Sequence, residues 1–390
     1  MSTASKNTRS IQDILRDFLQ DSRSVGIVLL CCTMVSLLLA NLPALGKGYL
    51  RLIDTEFHFP AWLHLPHTLL HWINDGAMAL FFFQAGMEIK RELLAGELSA
   101  FKKAVLPVAA AMGGMLAPAL LFVAFNAGSA YANGWGIPMA TDIAFSLGVA
   151  SLLGPRVPVS LKIFLMALAI IDDLGAILVI AIFYGTGLHT GWLMAGAALV
   201  AVMILLQAFK KHIPFLFIVL SIALWYAVFN SGIHATIAGV LAAFFVPLDK
   251  LEHYEHKLHR VVNFIVLPVF ALANTAIVLP ADIVTPFTTT LSWGIMAGLA
   301  LGKPVGVLLF SWLMVVCKLG QKPSGSNWWQ MAGVGMLAGI GFTMSIFITL
   351  LAFHQPLYRD ISKLSVLLAS LLSILTGLIT LRLAARKKNV

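Results

Sequence analysis

The chain has 390 residues, of which 59% are hydrophobic and 11% charged, against roughly 25% charged in a soluble domain. This composition excludes a soluble globular protein and indicates an integral membrane protein. The net charge of +9 does not indicate nucleic acid as a partner, because that requires basic residues gathered on one solvated face, and here they are scattered among short loops.

The apolar stretches recur every 20 to 30 residues or so, each long enough as a helix to cross a hydrocarbon core roughly 30 Å thick. The alternating pattern of membrane β-strands is absent from the sequence. Residues 1–23 are polar and mixed in charge, and read as a cytoplasmic tail with an amphipathic surface helix at 9–23 rather than a cleaved signal. Twelve spans follow in chain order, near 24–41, 68–88, 102–125, 134–153, 157–184, 191–209, 213–229, 232–247, 258–279, 289–316, 328–351 and 361–382. Between the first two, the alternation in RLIDTEFHFP suggests that residues 42–66 form a hairpin able to pair with another subunit, hence a homodimer. Cys31, Cys32 and Cys317 lie in or beside spans and read as packing residues rather than a disulfide or metal framework.

Lysine and arginine should accumulate in cytoplasmic loops. Of the 26 basic residues, 21 fall in the tail, in alternate loops and in the C-terminal segment. Lys47, Arg51, Arg359 and Lys363 fall on the opposite side, and Lys303 is within a span. Both termini are therefore expected in the cytoplasm, with an even number of spans.

Two spans carry clusters of helix-weakening residues. The fourth, GWGIPMATDIAFSLGVASLLG, has Pro138 and several glycines around Thr141 and Asp142, and the eleventh, GVGMLAGIGFTMSIFI, has Gly333, Gly335, Gly339 and Gly341. Glycine costs about 1 kcal/mol and proline about 3 within a helix, so both spans are expected to be broken. Each is the middle of three consecutive spans, 3–5 and 10–12, and the triplets begin on opposite sides of the membrane. That is the pattern of an inverted repeat, and paired broken spans in such repeats mark a transporter's binding site.

An ionisable residue at a helix centre costs about 2.5–3.5 kcal/mol on insertion and is a functional candidate by default. Asp142, the adjacent Asp172 and Asp173, and Lys303 all lie near span centres in these two triplets. Successive helical residues point about 100° apart, so one aspartate of the pair can face a cavity while the other faces a partner. Paired carboxylates out of water hold protons until a cation replaces them, and a small hard cation such as Na+ takes oxygen ligands. Competition of protons and sodium for one site, in a protein that reorients only when loaded, is exchange. Asp142 is expected to offset the positive half-helix N-termini, and Lys303 either the negative C-termini or an aspartate.

The runs WINDGAMALFFFQAGMEIKREL, ATDIAFSLG, LKIFLMALAIIDDLGAI, SGIHATIAGV, GKPVG and GIGFTMSIFI occur in order between residues 72 and 348. Together they resemble the NhaA-type bacterial sodium/proton antiporters, a family with inverted repeats. The resemblance implies an all-α polytopic protein of the inner membrane, a single transporter domain over residues 1–390 with a repeat core at 102–184 and 289–384. Its twelve helices include two broken ones crossing near the midplane. It implies electrogenic export of Na+ or Li+ for more than one proton, serving sodium and pH homeostasis with no cofactor. By the same resemblance Asp173 is the residue most firmly tied to sodium, Asp172 is associated with Lys303, and Thr141 and Asp142 belong to the unwound fourth helix, which crosses the eleventh near Gly339 to Phe342. It further implies a pH-sensing cluster of Glu88, Arg91, Glu92, Glu255, His256 and His259, to which DKLEHYEHKLHR adds Glu252 and His253. His234 matches a family position linked to pH response, or anchors a helix start. Asp75 either lines an ion pathway or bonds to a neighbouring helix.

Other classes fit less well. Paired aspartates serve some membrane enzymes, but the GxGD and DDxxD motifs are absent from the sequence. Another proton-coupled cation transporter or a passive cation channel is the remaining alternative, the channel being disfavoured by a lysine at a span centre.

Overall fold

The computed structural model describes residues 22–185, 187–209 and 213–386. The surface helix expected at 9–23 falls almost entirely outside the described residues. The described chain is predominantly helical, and the one β-type pairing among the described residues is an isolated bridge between Glu56 and Thr68.

In chain order the helices used below are α1 (Ser22–Asn41), α2 (Gly46–Ile53), α3 (Met78–Leu94), α4 (Phe101–Asn126), α5 (Ile143–Leu152) and α6 (Val159–Phe183). There follow α7 (Thr190–Ala208), α8 (Pro214–Phe229), α9 (Thr236–Ala243), α10 (Leu248–Val261) and α11 (Leu267–Asn274). The last five are α12 (Thr290–Ala297), α13 (Lys303–Val316), α14 (Trp328–Ala338), α15 (Phe342–Ala352) and α16 (Pro356–Arg386). Wider π-helical turns at Trp72–Ala77, Val262–Val266 and Gly298–Gly302 lead into α3, α11 and α13. Eight of the described helical segments are long and apolar enough to cross a bilayer, and the pair α14 and α15, bent by 43°, makes a ninth. The chain is thus a polytopic helical membrane protein. Its exterior fits: Leu120, Ile182 and Phe215 are exposed on their helices, as lipid-facing side chains are.

Residues 42–66 form a helix followed by a short antiparallel contact in place of the expected hairpin. The segment Gly46–Ile53 is a helix, because Tyr49 and Ile53, four residues apart, fall on one helical face. Ile53 is buried, and the Tyr49 hydroxyl donates to the Leu272 carbonyl at 2.8 Å. The later part of the alternating stretch does fold back: the Phe57 N–H donates to the His67 carbonyl at 2.6 Å and the Leu69 N–H to the Thr55 carbonyl at 3.0 Å, around the Glu56–Thr68 bridge.

Helices α4 and α13 approach backbone to backbone at Gly113 and Gly306, where a Cβ on either would overlap the other's carbonyl. This close approach places the start of α13, and with it Lys303, against the two broken spans.

Candidate ion-binding site

Both glycine-rich spans are broken. In the first, a 3-10 segment, Ala132–Met139, gives way to extended backbone at Ala140, and α5 starts only after Asp142. In the second, α14 ends at Ala338 and α15 begins at Phe342. A break leaves carbonyls and N–H groups without helical partners, and burial makes that costly. The structure satisfies them by laying one break across the other. The Asp142 N–H donates to the Ile340 carbonyl at 2.7 Å, and the Ser345 hydroxyl donates to the Ile137 carbonyl at 2.7 Å.

Asp142 serves both half-helix N-termini. Its Oδ1 accepts from the Phe145 N–H at 2.9 Å as the N-cap of α5. Its Oδ2 accepts from the Thr343 N–H at 3.1 Å and from the Thr343 hydroxyl at 2.5 Å, at the start of α15. One carboxylate thus meets two positive helix ends. Lys303 takes the opposite role twice over: its Nζ donates to the Met139 carbonyl, which ends the 3-10 segment, and lies 2.9 Å from Asp172 Oδ2. The two roles weighed for this lysine are held together.

The aspartate pair divides. Asp173 lines a cavity of about 550 Å³ together with Asp142 and Thr343, whereas Asp172, Thr141 and Lys303 lie behind its wall. Thr141 Oγ1 is 2.6 Å from Asp172 Oδ2 and 2.9 Å from the Ala338 carbonyl. Its single proton can serve one acceptor at a time. Asp172 Oδ1 and Asp173 Oδ1 are both buried and, among the described residues, have no hydrogen-bond partner, which makes each oxygen a candidate acceptor for a proton or a cation. Among the described residues no three His, Cys, Asp or Glu side chains converge as a metal cluster.

The same cavity reaches the second group of residues. Its wall includes Glu88 and Arg91 from α3 and Glu255, His256 and His259 from α10, with Glu252 beside them. Arg91 pairs with Glu255 at 2.7 Å and with Glu92 at 3.4 Å. Glu92 itself is not on the cavity wall; it is buried and accepts from the Glu97 N–H at 3.0 Å. The histidines belong to a helix that runs without interruption from α10 through the π-helical turn into α11, so the ninth span starts about ten residues before its expected position and ends sooner.

Two further candidates lie away from this cavity. Asp75 is 2.9 Å from His71, one turn earlier on its own helix, and its carbonyl accepts from the Trp225 indole of α8 at 2.9 Å. His234 Nε2 is 2.8 Å from the Tyr184 carbonyl, tying the approach to α9 to the end of α6.

Sequence reasoning missed Thr343, Gln84 and Asn263. Gln84 donates to Glu88 at 2.9 Å, and Asn263 approaches His259 to 3.0 Å. All three are neutral, so the insertion cost that exposes an aspartate or lysine gives no comparable signal. For Thr343 a cue existed, since a hydroxyl directly after a broken helix is placed to meet whatever caps it.

Two broken helices that cross at a buried set of carboxylates and one lysine, beside a deep cavity, define the class as an ion-handling membrane transporter fold. Residues 16–381 match the Na+/H+ antiporter 1 family. Among similar proteins, the Na(+)/H(+) antiporter NhaA 2 of Flavobacterium johnsoniae is 48% identical over 94% of this chain and 92% of its own length. The Na(+)/H(+) antiporter NhaA of Rhizobium etli is 47% identical over 94% and 95%, and that of a Sulfurovum species 44% identical over 97% and 99%. The chain belongs to the Na+/H+ antiporter 1 family.

Proposed function

We propose that this protein is an electrogenic secondary transporter, not an enzyme, that expels cytoplasmic Na+, and Li+, in exchange for more than one external proton. The observation that carries this reading is the placement of Asp173: a carboxylate with a free buried oxygen, on a cavity wall, next to the crossing of two broken helices. Asp173 is the sodium ligand. Because no three acidic or histidine side chains among the described residues converge to hold a cation, its remaining oxygen partners come from Asp172, hydroxyls such as Thr141 and Thr343, freed carbonyls, or water. Asp142 and Lys303 hold the crossing against the charge of its helix ends. Protons and sodium exclude each other at Asp173, and Asp172 exchanges its Lys303 contact as the load changes.

The finer architecture follows the same reading. Twelve spans form one transporter domain, with residues 102–184 and 289–384 as inverted repeats whose broken helices cross near the midplane of a bacterial inner membrane. Both termini are cytoplasmic, so the cavity opens to the cytoplasm, and the Glu88, Arg91, Glu92, Glu255, His256 and His259 cluster at its mouth regulates transport by pH, histidine titrating in the relevant range. Asp75 and His234 are accessory, bracing α3 and α9 from the far side.

Everted membrane vesicles test the core of this reading. Adding sodium is expected to collapse an imposed pH gradient at alkaline pH, and the Asp173→Asn protein, inserted at equal level, is expected to lose this response by at least about 100-fold, a change equivalent to roughly 2.7 kcal/mol. Sodium addition that leaves the wild-type gradient intact would sink the antiport reading.

A further inference from the structure

Lys90 carries a buried ammonium that the ion site does not use. It sits on α3, 5% exposed, and among the described residues it forms no ion pair. Its Nζ instead donates to the Phe244 carbonyl at 2.7 Å and the Val246 carbonyl at 2.6 Å. These carbonyls belong to the turn that leaves α9 and leads through Pro247 into α10.

A helix C-terminus ends in carbonyls without intrahelical donors and carries partial negative charge. The Val246 carbonyl is buried and the Phe244 one partly so; such groups need a donor, and a lysine supplies up to three in a compact charge. Helices α3 and α9 are already pressed together within about three turns of Lys90: a Cβ on Gly239 would overlap the Ala79 carbonyl, and one on Gly86 would lie 2.8 Å from the Ala243 Cβ. The Lys90 contacts extend this close packing to the turn itself. What departs from the turn is α10, which carries Glu255 to its 2.7 Å contact with Arg91, the residue next to Lys90.

We propose that Lys90 is a positioning residue for transport: by holding the Phe244 and Val246 carbonyls it fixes the direction in which α10 leaves α9, and so sets the Arg91–Glu255 contact at the cavity mouth. The proposal rests on the antiport reading for its kinetic consequence, though not for its structural one. The groups ranged around the Arg91–Glu255 pair are Glu88 and Glu92 from α3 and Glu252, His256, His259 and Arg260 from α10. A small swing of α10 therefore changes the spacing of several charges at once, and the pH profile is the readout a merely structural lysine would leave in place.

The test compares sodium-dependent collapse of a pH gradient across pH in everted vesicles. In Lys90→Met the pH of half-maximal rate is expected to move by about half a unit or more, while Lys90→Arg, which keeps a charged donor, stays at the wild-type value. In a Glu255→Gln background Lys90→Met is expected to add a smaller shift, because the Arg91–Glu255 contact is already gone and only the other charges of α10 are displaced. An unmoved midpoint in Lys90→Met, an arginine variant displaced as far as the methionine one, or equal shifts in both backgrounds each overturn the proposal. If Lys90→Met does not reach the membrane, Lys90→Leu, which likewise removes the donor, is read by the same criterion. Hydrogen exchange gives a readout independent of transport: Lys90→Met should exchange faster over residues 244–261 and unchanged over 159–183, and a uniform change across both overturns the assignment even if the protein moves no sodium.

Discussion

The crossing of the broken helices and the mouth of the cavity are both clusters of charge, yet they are built in opposite ways. At the crossing the backbone is interrupted, and Asp142, Lys303 and Thr141 answer the carbonyls and N–H groups that the interruptions expose. At the mouth the helices α3 and α10 are continuous, and the charges answer one another, as Arg91 does Glu255 and Glu92. The crossing is fully buried, whereas the Arg91 side chain is 38% exposed. A charge at the crossing is thus tied to the fold itself, and a charge at the mouth is free to change its state without unmaking the helices that carry it.

Breaking the crossing should therefore cost stability first. Lys303→Met removes one member of a fully buried pair and the donor to the Met139 carbonyl together. Loss of one partner of a buried pair costs about 3–5 kcal/mol, so a drop in thermal stability of the purified protein is expected, larger than for any single change at the mouth. A melting profile unchanged from wild type would show that the crossing does not depend on its lysine. Asp142→Asn should come next. An amide keeps an oxygen for the Phe145 N–H, but it loses the negative charge facing two helix N-termini, worth about 0.3–2 kcal/mol. The expected result is folded protein with an apparent sodium affinity lowered several-fold in the vesicle assay. Full activity at unchanged affinity would remove Asp142 from the mechanism.

This contrast also explains what was legible in the sequence. Asp142, Asp172, Asp173 and Lys303 stand out because each is a costly charge in an apolar span, and the breaks stand out because glycine and proline cluster there. The chain's helical, membrane-spanning character follows from composition alone. The division of labour between Asp172 and Asp173 was legible only through family resemblance, since adjacency on a helix says that they diverge but not which faces the cavity. The mouth was legible only through family resemblance: charges near a span end carry little insertion cost, and Glu255 meets Arg91 across 164 residues of chain. Residues 42–66 were legible only in their second half, where Thr55–Phe57 pair antiparallel with His67–Leu69, because a period of two and a period of 3.6 are hard to separate over one short segment.

The smallest expected effect on stability, and the sharpest on regulation, belongs to Glu255→Gln. The Arg91 end of this pair is open to solvent, so its loss should cost no more than about 1 kcal/mol and leave the maximal transport rate at alkaline pH close to wild type. The pH profile should move. With Glu255 neutral, the Arg91 charge is no longer offset and the mouth carries one more net positive charge, so the acidic limb of the profile is expected to shift to lower pH by about half a unit to one unit. Measuring gradient collapse across pH decides the matter. A shift to higher pH would mean that Arg91 moves away once unpaired, and a large loss of thermal stability would mean that the mouth, like the crossing, is part of what holds the helices in place.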